Sequence, residues 1–180
     1  MNLQALIDST NYEHSRKVSE ISGLLAKYAG YSCVEAMVIS QAALYHDIGK
    51  CDISPEILNK PGALTAQEYN IVKCHTQLGR DRIQEALRVL TAASEIAESH
   101  HERSDGTGYH GLAAEEIHPY ARLVAVADVY DALISKRSYK NALNISEALS
   151  YLKDRSGVQF DKDIVTALLA HIDEIVALYC

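Results

Sequence analysis

The 180-residue sequence lacks any surplus of basic side chains: 17 Lys and Arg stand against 24 Asp and Glu, for a formal net charge of −7. A general nucleic-acid binder neutralises phosphates with excess Lys and Arg, so DNA is not expected as a partner, and an anionic substrate would need a local cationic site. No stretch approaches the roughly 20 consecutive apolar residues of a membrane-spanning helix. The opening MNLQALIDSTNYEHS also lacks the basic-then-apolar order of a secretory signal, so the expectation is a cytoplasmic protein with no membrane partner. Cys33, Cys51, Cys74 and Cys180 form no C-x-x-C pair, which argues against a zinc ribbon or a disulfide framework and for reduced, mostly packed thiols. Internal repeats and low-complexity linkers are absent too. At 48% hydrophobic residues the chain can bury a full core, and it reads as one domain over residues 1–180.

What is present is helical periodicity almost throughout, with no convincing alternating segment, so the expected fold class is all-α. A first helix is expected from Tyr12 to Ala29, closed by Gly30, and a second from Val34 to Asp47, closed by Gly49. Pro55 and the Pro61-Gly62 pair make Cys51 to Ala63 a loop with at most one helical turn. Thr65 and Glu68 form a capping box that opens a third long helix towards Leu90. A fourth covers Ala92 to His101, and the glycine-bearing stretch from Glu102 to Pro119 is expected to be irregular and the most mobile element. Helix five spans Tyr120 to Lys136, helix six follows an Asn144 cap with Glu147, and helix seven follows Asp161. About seven helices result.

Eight histidines supply candidate chemistry. His14 shares a face with Val18, Ile21 and Leu25 and points inward, where an imidazole is either a hydrogen-bonded core residue or a ligand. His46 and Asp47 end an apolar run from Met37 to Leu44, where two polar groups are costly unless paired; a divalent metal accepts both, and a helix-end cap for Asp47 is the alternative. His75 is followed at i+4 by Gly79, whose missing side chain permits close approach of another group. His100 and His101 project about 100° apart and could address two neighbouring ions, or form a surface pair. Asp128 and Asp131 lie on one stripe of the otherwise apolar run from Leu123 to Leu133, which has no cation of its own before Lys136 and Arg137. Metal for Asp128 satisfies that need, with Asp131 as support on the ligand or substrate side. Each signal is weak by itself, but a shared metal centre explains them together.

The strings His46-Asp-Ile-Gly-Lys50, Ile57-Leu-Asn-Lys-Pro-Gly62, His75-x-x-x-Gly79 and His100-His-Glu-Arg-Ser-Asp-Gly-Thr-Gly-Tyr109 resemble the HD-GYP family. The likeness continues through Val126-Ala-Asp-Val-Tyr-Asp-Ala-Leu133, Ser135-Lys-Arg-Ser-Tyr-Lys140 and Gly157-Val-Gln-Phe-Asp161, in order along nearly the whole chain. The resemblance implies an HD-superfamily helical bundle around a centre of divalent metals, iron or manganese. It also implies hydrolysis of cyclic dinucleotides, chiefly cyclic di-GMP, to linear pGpG and then GMP. Carried over by position, the metal ligands are His14, His46, Asp47, His75, His100, His101 and Asp128. Lys50 and Asp47 are the catalytic pair, and Tyr109, Arg137, Lys140 and Asp131 are the substrate-side residues.

These parts imply attack by a metal-bound hydroxide, the cations lowering the pKa of water towards about 7 and stabilising the entering and leaving oxygens. The implied partners are the cyclic dinucleotide, with diguanylate cyclase domains and a second copy in a homodimer as further candidates. The chain departs from the family pattern at His110, which follows Tyr109 where the family has proline, and at His118, where proline is also common. Thr10 stands where members with three metals place a glutamate, so two metals are expected. His110, His118 and His171 are read as surface or loop residues. Alternatives are a different HD-type nucleotide phosphohydrolase and a non-catalytic module that binds cyclic di-GMP or docks on a diguanylate cyclase.

Overall fold

The computed structural model describes residues 12–87, 91–135 and 142–179. Helix α1 (Tyr12–Tyr28) buries Val18, Ile21 and Leu25, with His14 on the same inward face. It ends at Gly30 through the paired bonds Gly30 N–H to Lys27 O and Tyr31 N–H to Ala26 O, the double closure of a helix C-terminus. Ser32 and Glu35 form a capping box that starts α2 (Cys33–Ala43), which packs against α1.

The second helix stops at Ala43 and does not run to Asp47. Tyr45, His46 and Ile48 donate three residues back, tightening the chain into a turn that leads to a 3₁₀ segment, Ile48–Asp52. Gly49 serves a purpose other than closing a helix. A Cβ there would lie 1.9 Å from the carbonyl oxygen of His75 and 2.5 Å from the nitrogen of Gly79, so only glycine lets this segment press against the neighbouring helix. Gly79 answers from the other side, its ideal Cβ position lying 3.2 Å from the Gly49 nitrogen. The expected helical turn in the following loop is α3 (Pro55–Leu58), capped by Ser54.

Thr65 caps a helix as expected, but the long third helix is two: α4 (Ala66–Lys73) and α5 (His75–Leu87). The break at Cys74 has a local cause. The His75 Nδ1 faces the Val72 carbonyl at 2.7 Å and the Thr76 hydroxyl donates to the Lys73 carbonyl at 3.0 Å, so side chains compete for acceptors that a continuous helix would use. Helix α6 (Ala92–Ser99) ends before His100 and His101, and α7 (Pro119–Ile134) is the central helix, with Leu123, Val124, Val126, Ala127 and Tyr130 fully buried. Asn144 with Glu147 caps α8 (Ile145–Asp154), and Asp161 caps α9 (Lys162–Ala170). The expected seventh helix is interrupted at His171, continuing as α10 (Ile172–Val176) and a 3₁₀ turn, Ala177–Tyr179.

The fold is all-α; among the described residues extended pairing is limited to one isolated bridge, Ser156 with Phe160. Buried apolar residues from α1, α2, α5, α6, α7, α8 and α9 form one cluster. Each fully buried Leu or Ile contributes about 1.5–3 kcal/mol, which holds the helix ends that carry polar side chains. None of the described helices is long and apolar enough to cross a membrane. Among the described residues the thiols differ from expectation: Cys33 and Cys74 are exposed and Cys51 is half-buried, because the first opens α2 on its outer side and the second sits at the break between α4 and α5, while Cys180 lies outside the described residues.

Candidate metal centre

Five chain segments bring His14, His46, Asp47, His75, His100, His101 and Asp128 to one place. They form two groups, Asp47 with His75, His100 and His101, and His14 with His46 and Asp128; within each group, ligand-type atoms lie within 4.8 Å of one another. Six of the seven residues are buried and His101 is half-buried. Helix-end turns make this possible. The tightened turn after α2 presents His46 and Asp47 together, the break at Cys74 turns His75 inward, and the end of α6 delivers adjacent histidines.

The protonation of the rings follows from their outer partners. His46 Nδ1 lies 2.9 Å from the Ala43 carbonyl, His75 Nδ1 2.7 Å from that of Val72, and His100 Nδ1 3.1 Å from that of Ile96. A carbonyl only accepts, so these nitrogens carry a proton, and in the neutral ring each Nε2 is the acceptor. All three Nε2 atoms, and Asp47 Oδ1, are buried without a hydrogen-bond partner. They face one another: Asp47 Oδ1 is 3.3 Å from His75 Nε2 and 3.7 Å from His100 Nε2, while Oδ2 is 3.4 Å from His46 Nε2. Four buried acceptors converging without a donor carry a desolvation cost that a cation removes, and imidazole with carboxylate is a donor set suited to divalent iron, manganese or zinc. The residues present fit a metal.

The second group is backed differently. His14 Nε2 is 3.0 Å from Asp128 Oδ1, and its Nδ1 is 2.6 Å from Asp131 Oδ2. Burial lowers the His14 pKa, but hydrogen bonds to Asp128 and Asp131 outweigh it and push the value up to about 9, the mark of a pocket whose carboxylates call for positive charge. Burial opposes ionisation of Asp47 and Asp128 as well. The Lys50 ammonium beside Asp47, and His14 beside Asp128, nevertheless hold both carboxyls well below their usual range. His101 is held neutral by burial and by its neighbour His100.

Of the other predicted residues, Lys50 donates to Asp47 Oδ2 from the rim. Tyr109 lies with its ring 4.7 Å from that of His101 and 6.0 Å from that of Tyr69, half-buried over the first group, and its hydroxyl pKa is raised by burial and by Tyr69. Asp131, expected on either the ligand or the substrate side, is 1% exposed and sits behind His14. Arg137 and Lys140 lie outside the described residues, as does Thr10. His110 is exposed and in contact with Thr76 at 3.0 Å, His118 caps α7 by accepting from the Tyr120 amide, and His171 stacks on Tyr28.

Two contributors carried no role in the sequence reading. Glu102, 5% exposed, accepts from the amides of His110 at 2.7 Å and Leu112 at 2.9 Å, closing the loop expected to be mobile around one carboxylate. An added Cβ on Gly108 would lie 2.6 Å from that carboxylate, so the glycine is required by the closure. A carboxylate placed directly after a histidine pair and before a glycine-bearing stretch is a signal that could have found Glu102. Tyr179 donates to Asp131 Oδ1 at 2.6 Å across 48 positions of sequence, and nothing local marks it.

An HD domain family model matches residues 2–164. The chain is 44% identical over 155 residues, 85% of its length, to the cyclic di-GMP phosphodiesterase response regulator RpfG of Xanthomonas campestris pv. campestris, covering 41% of that protein. It is 36% identical over 182 residues, 98% of its length, to 3'3'-cGAMP-specific phosphodiesterase 2 of Vibrio cholerae, covering 35% of it. The chain thus spans less than half the length of either relative. Among solved structures it resembles Bd1817, an HDG"Y"P protein from Bdellovibrio bacteriovorus, with a TM-score of 0.73 and 26% identity over 89% of this chain and 51% of that one.

Proposed function

The chain belongs to the HD domain family, as an HD-GYP member, and from that premise we propose that it is a metal-dependent phosphodiesterase that hydrolyses cyclic di-GMP at a two-cation centre. The observation that carries the reading is the convergence of seven ligand-type side chains into two adjoining groups, with buried Nε2 atoms and one Asp47 oxygen left unpaired. Asp47 joins the groups, since one of its oxygens faces His75 and His100 and the other faces His46. Divalent cations held there, iron or manganese, supply charge neutralisation at the phosphodiester and an activated water.

The protein's own residues then divide the work. His46, His75 and His100 are kept in the Nε2-accepting form by their backbone carbonyls, which fixes their aim. Lys50 orients Asp47 and adds positive charge on the side open to solvent. Tyr109 forms a wall beside His101, on a loop tied down by Glu102. Arg137 and Lys140 are assigned to substrate phosphate by their place in the family pattern. Two cations rather than three are favoured because the ligand-type residues form two groups among the described residues, and Thr10 brings no charge.

The test is anaerobic turnover of cyclic di-GMP and of 3'3'-cGAMP by protein reconstituted separately with iron and with manganese, products being separated by chromatography. Conversion of cyclic di-GMP to pGpG or GMP is the expected result. Faster turnover of 3'3'-cGAMP would move the substrate assignment and leave the chemistry intact. Bound metal and bound cyclic di-GMP without turnover would overturn the reading in favour of a binding module.

A further inference from the structure

Metal-facing imidazoles here are supported from behind in two ways. Three of them rest on a backbone carbonyl three or four residues earlier in the chain, whereas His14 rests on Asp131, a carboxylate 117 positions distant. A carboxylate partner raises the basicity of a ligating imidazole more than a carbonyl does, but only while its own orientation is fixed. Asp131 is 1% exposed, so its orientation is set by protein donors and not by bulk solvent. Its Oδ1 accepts from the Tyr179 hydroxyl at 2.6 Å and from the Ser135 hydroxyl at 3.1 Å, which leaves Oδ2 for His14 at 2.6 Å. Tyr179 is the closer of the two donors to Oδ1.

Tyr179 is itself clamped onto the helix that carries His14. Lys17, one turn beyond His14, donates to the Leu178 carbonyl and stands 4.8 Å from the centroid of the Tyr179 ring. The 3₁₀ turn Ala177–Tyr179 is thus joined to α1 by a backbone acceptor and an aromatic face, and to α7 by a phenol. We propose that Tyr179 is a positioning residue of the metal centre, holding Asp131 so that His14 presents Nε2 to the cation shared with His46 and Asp128. The C-terminal turn thereby sets cation affinity in one half of the site. This inference rests on reading the centre as a divalent-cation site.

Manganese alone is the probe, titrated into the full chain in competition with a chelating dye. Tyr179→Phe removes one hydroxyl and keeps the ring, and it is expected to weaken one of two manganese equivalents roughly threefold to tenfold while the other is unchanged. Asp131→Asn, which acts directly on His14, is expected to weaken the same equivalent by about 10–100-fold. Tyr28→Phe is the control, because Tyr28 also donates to a carboxylate of the C-terminal segment, Glu174, but far from any ligand. It should leave both equivalents as in the parent, and thermal melting should show Tyr179→Phe folded. Parent-like binding by Tyr179→Phe, or equal weakening by Tyr28→Phe, overturns the assignment. A parent protein that binds no manganese would overturn the cation reading itself, and this inference with it.

Discussion

The two halves of the centre are built from the same residue types but held by different means. In the half of His75, His100, His101 and Asp47, two rings are anchored by carbonyls three or four residues earlier and the carboxylate is steadied by Lys50 three positions on. In the half of His14, His46 and Asp128, His14 depends on a carboxylate from α7 and a hydroxyl from the last turn described. In the first half the outer support of each of these rings and of Asp47 comes from within a few positions, although Asp47, His75 and His100 meet only when three segments pack. In the second half the support of His14 is itself a long-range contact.

Changes placed in each half should therefore have different signatures. The largest effect is expected for Asp47→Ala, which removes the carboxylate common to both: hydrolysis should fall by on the order of a thousandfold or more, with metal lost from both sites and the helical circular dichroism retained. Full activity would break the shared-carboxylate reading, and loss of the fold would make the site structural as well. Gly49→Ala comes next and should strike the His75 half most directly. The added methyl meets the His75 carbonyl, so destabilisation of about 3 kcal/mol, the upper end of overpacking, is expected in denaturant melts, with the cation of that half weakened more than the other. A variant that keeps both cations would show that the 3₁₀ segment can withdraw without moving His75.

Glu102→Gln tests the loop that walls the same half. One carboxylate oxygen becomes an amide that donates where it must accept, so one of the two loop bonds is lost, worth about 1.5–3 kcal/mol for a charged acceptor. A KM raised roughly tenfold, with faster tryptic cleavage after Arg103, is the expected outcome; unchanged KM and cleavage would make the closure incidental. The smallest effects belong to Arg137→Ala and Lys140→Ala, which should raise KM a few-fold with little change in kcat, and less so as salt rises. Parent-like kinetics at low ionic strength would return both to the ordinary surface.

Much of this protein is written in short patterns. Capping boxes at Thr65 and Asn144 and the Asp161 cap are local hydrogen-bonding facts, and the helices begin where those residues stand. The seven ligand-type residues were legible because a histidine or aspartate amid apolar helical spacing is costly without a partner, and the structure brings all seven together. Helix interruptions were not legible at Ala43, Cys74 and His171, where apolar periodicity runs on through a change of direction. At the first two, the deciding contacts are a tightened turn, side chains that take backbone acceptors, and glycine packing between segments.

Sequence by itself determined the helical class, the capped helix starts and which histidines and aspartates are costly to bury unpaired, since each follows from interactions within a few positions or from the cost of burying a polar group. Tertiary structure alone decided which ligand-type side chains face one another, because Asp47 turns one oxygen to each group only after the 3₁₀ segment packs on α5. It alone decided that Asp131 stands behind His14 and that Tyr179 stands behind Asp131. Those bonds span 117 and 48 positions, and no periodicity or cap encodes a contact whose geometry is set by how α1, α7 and the C-terminal turn dock.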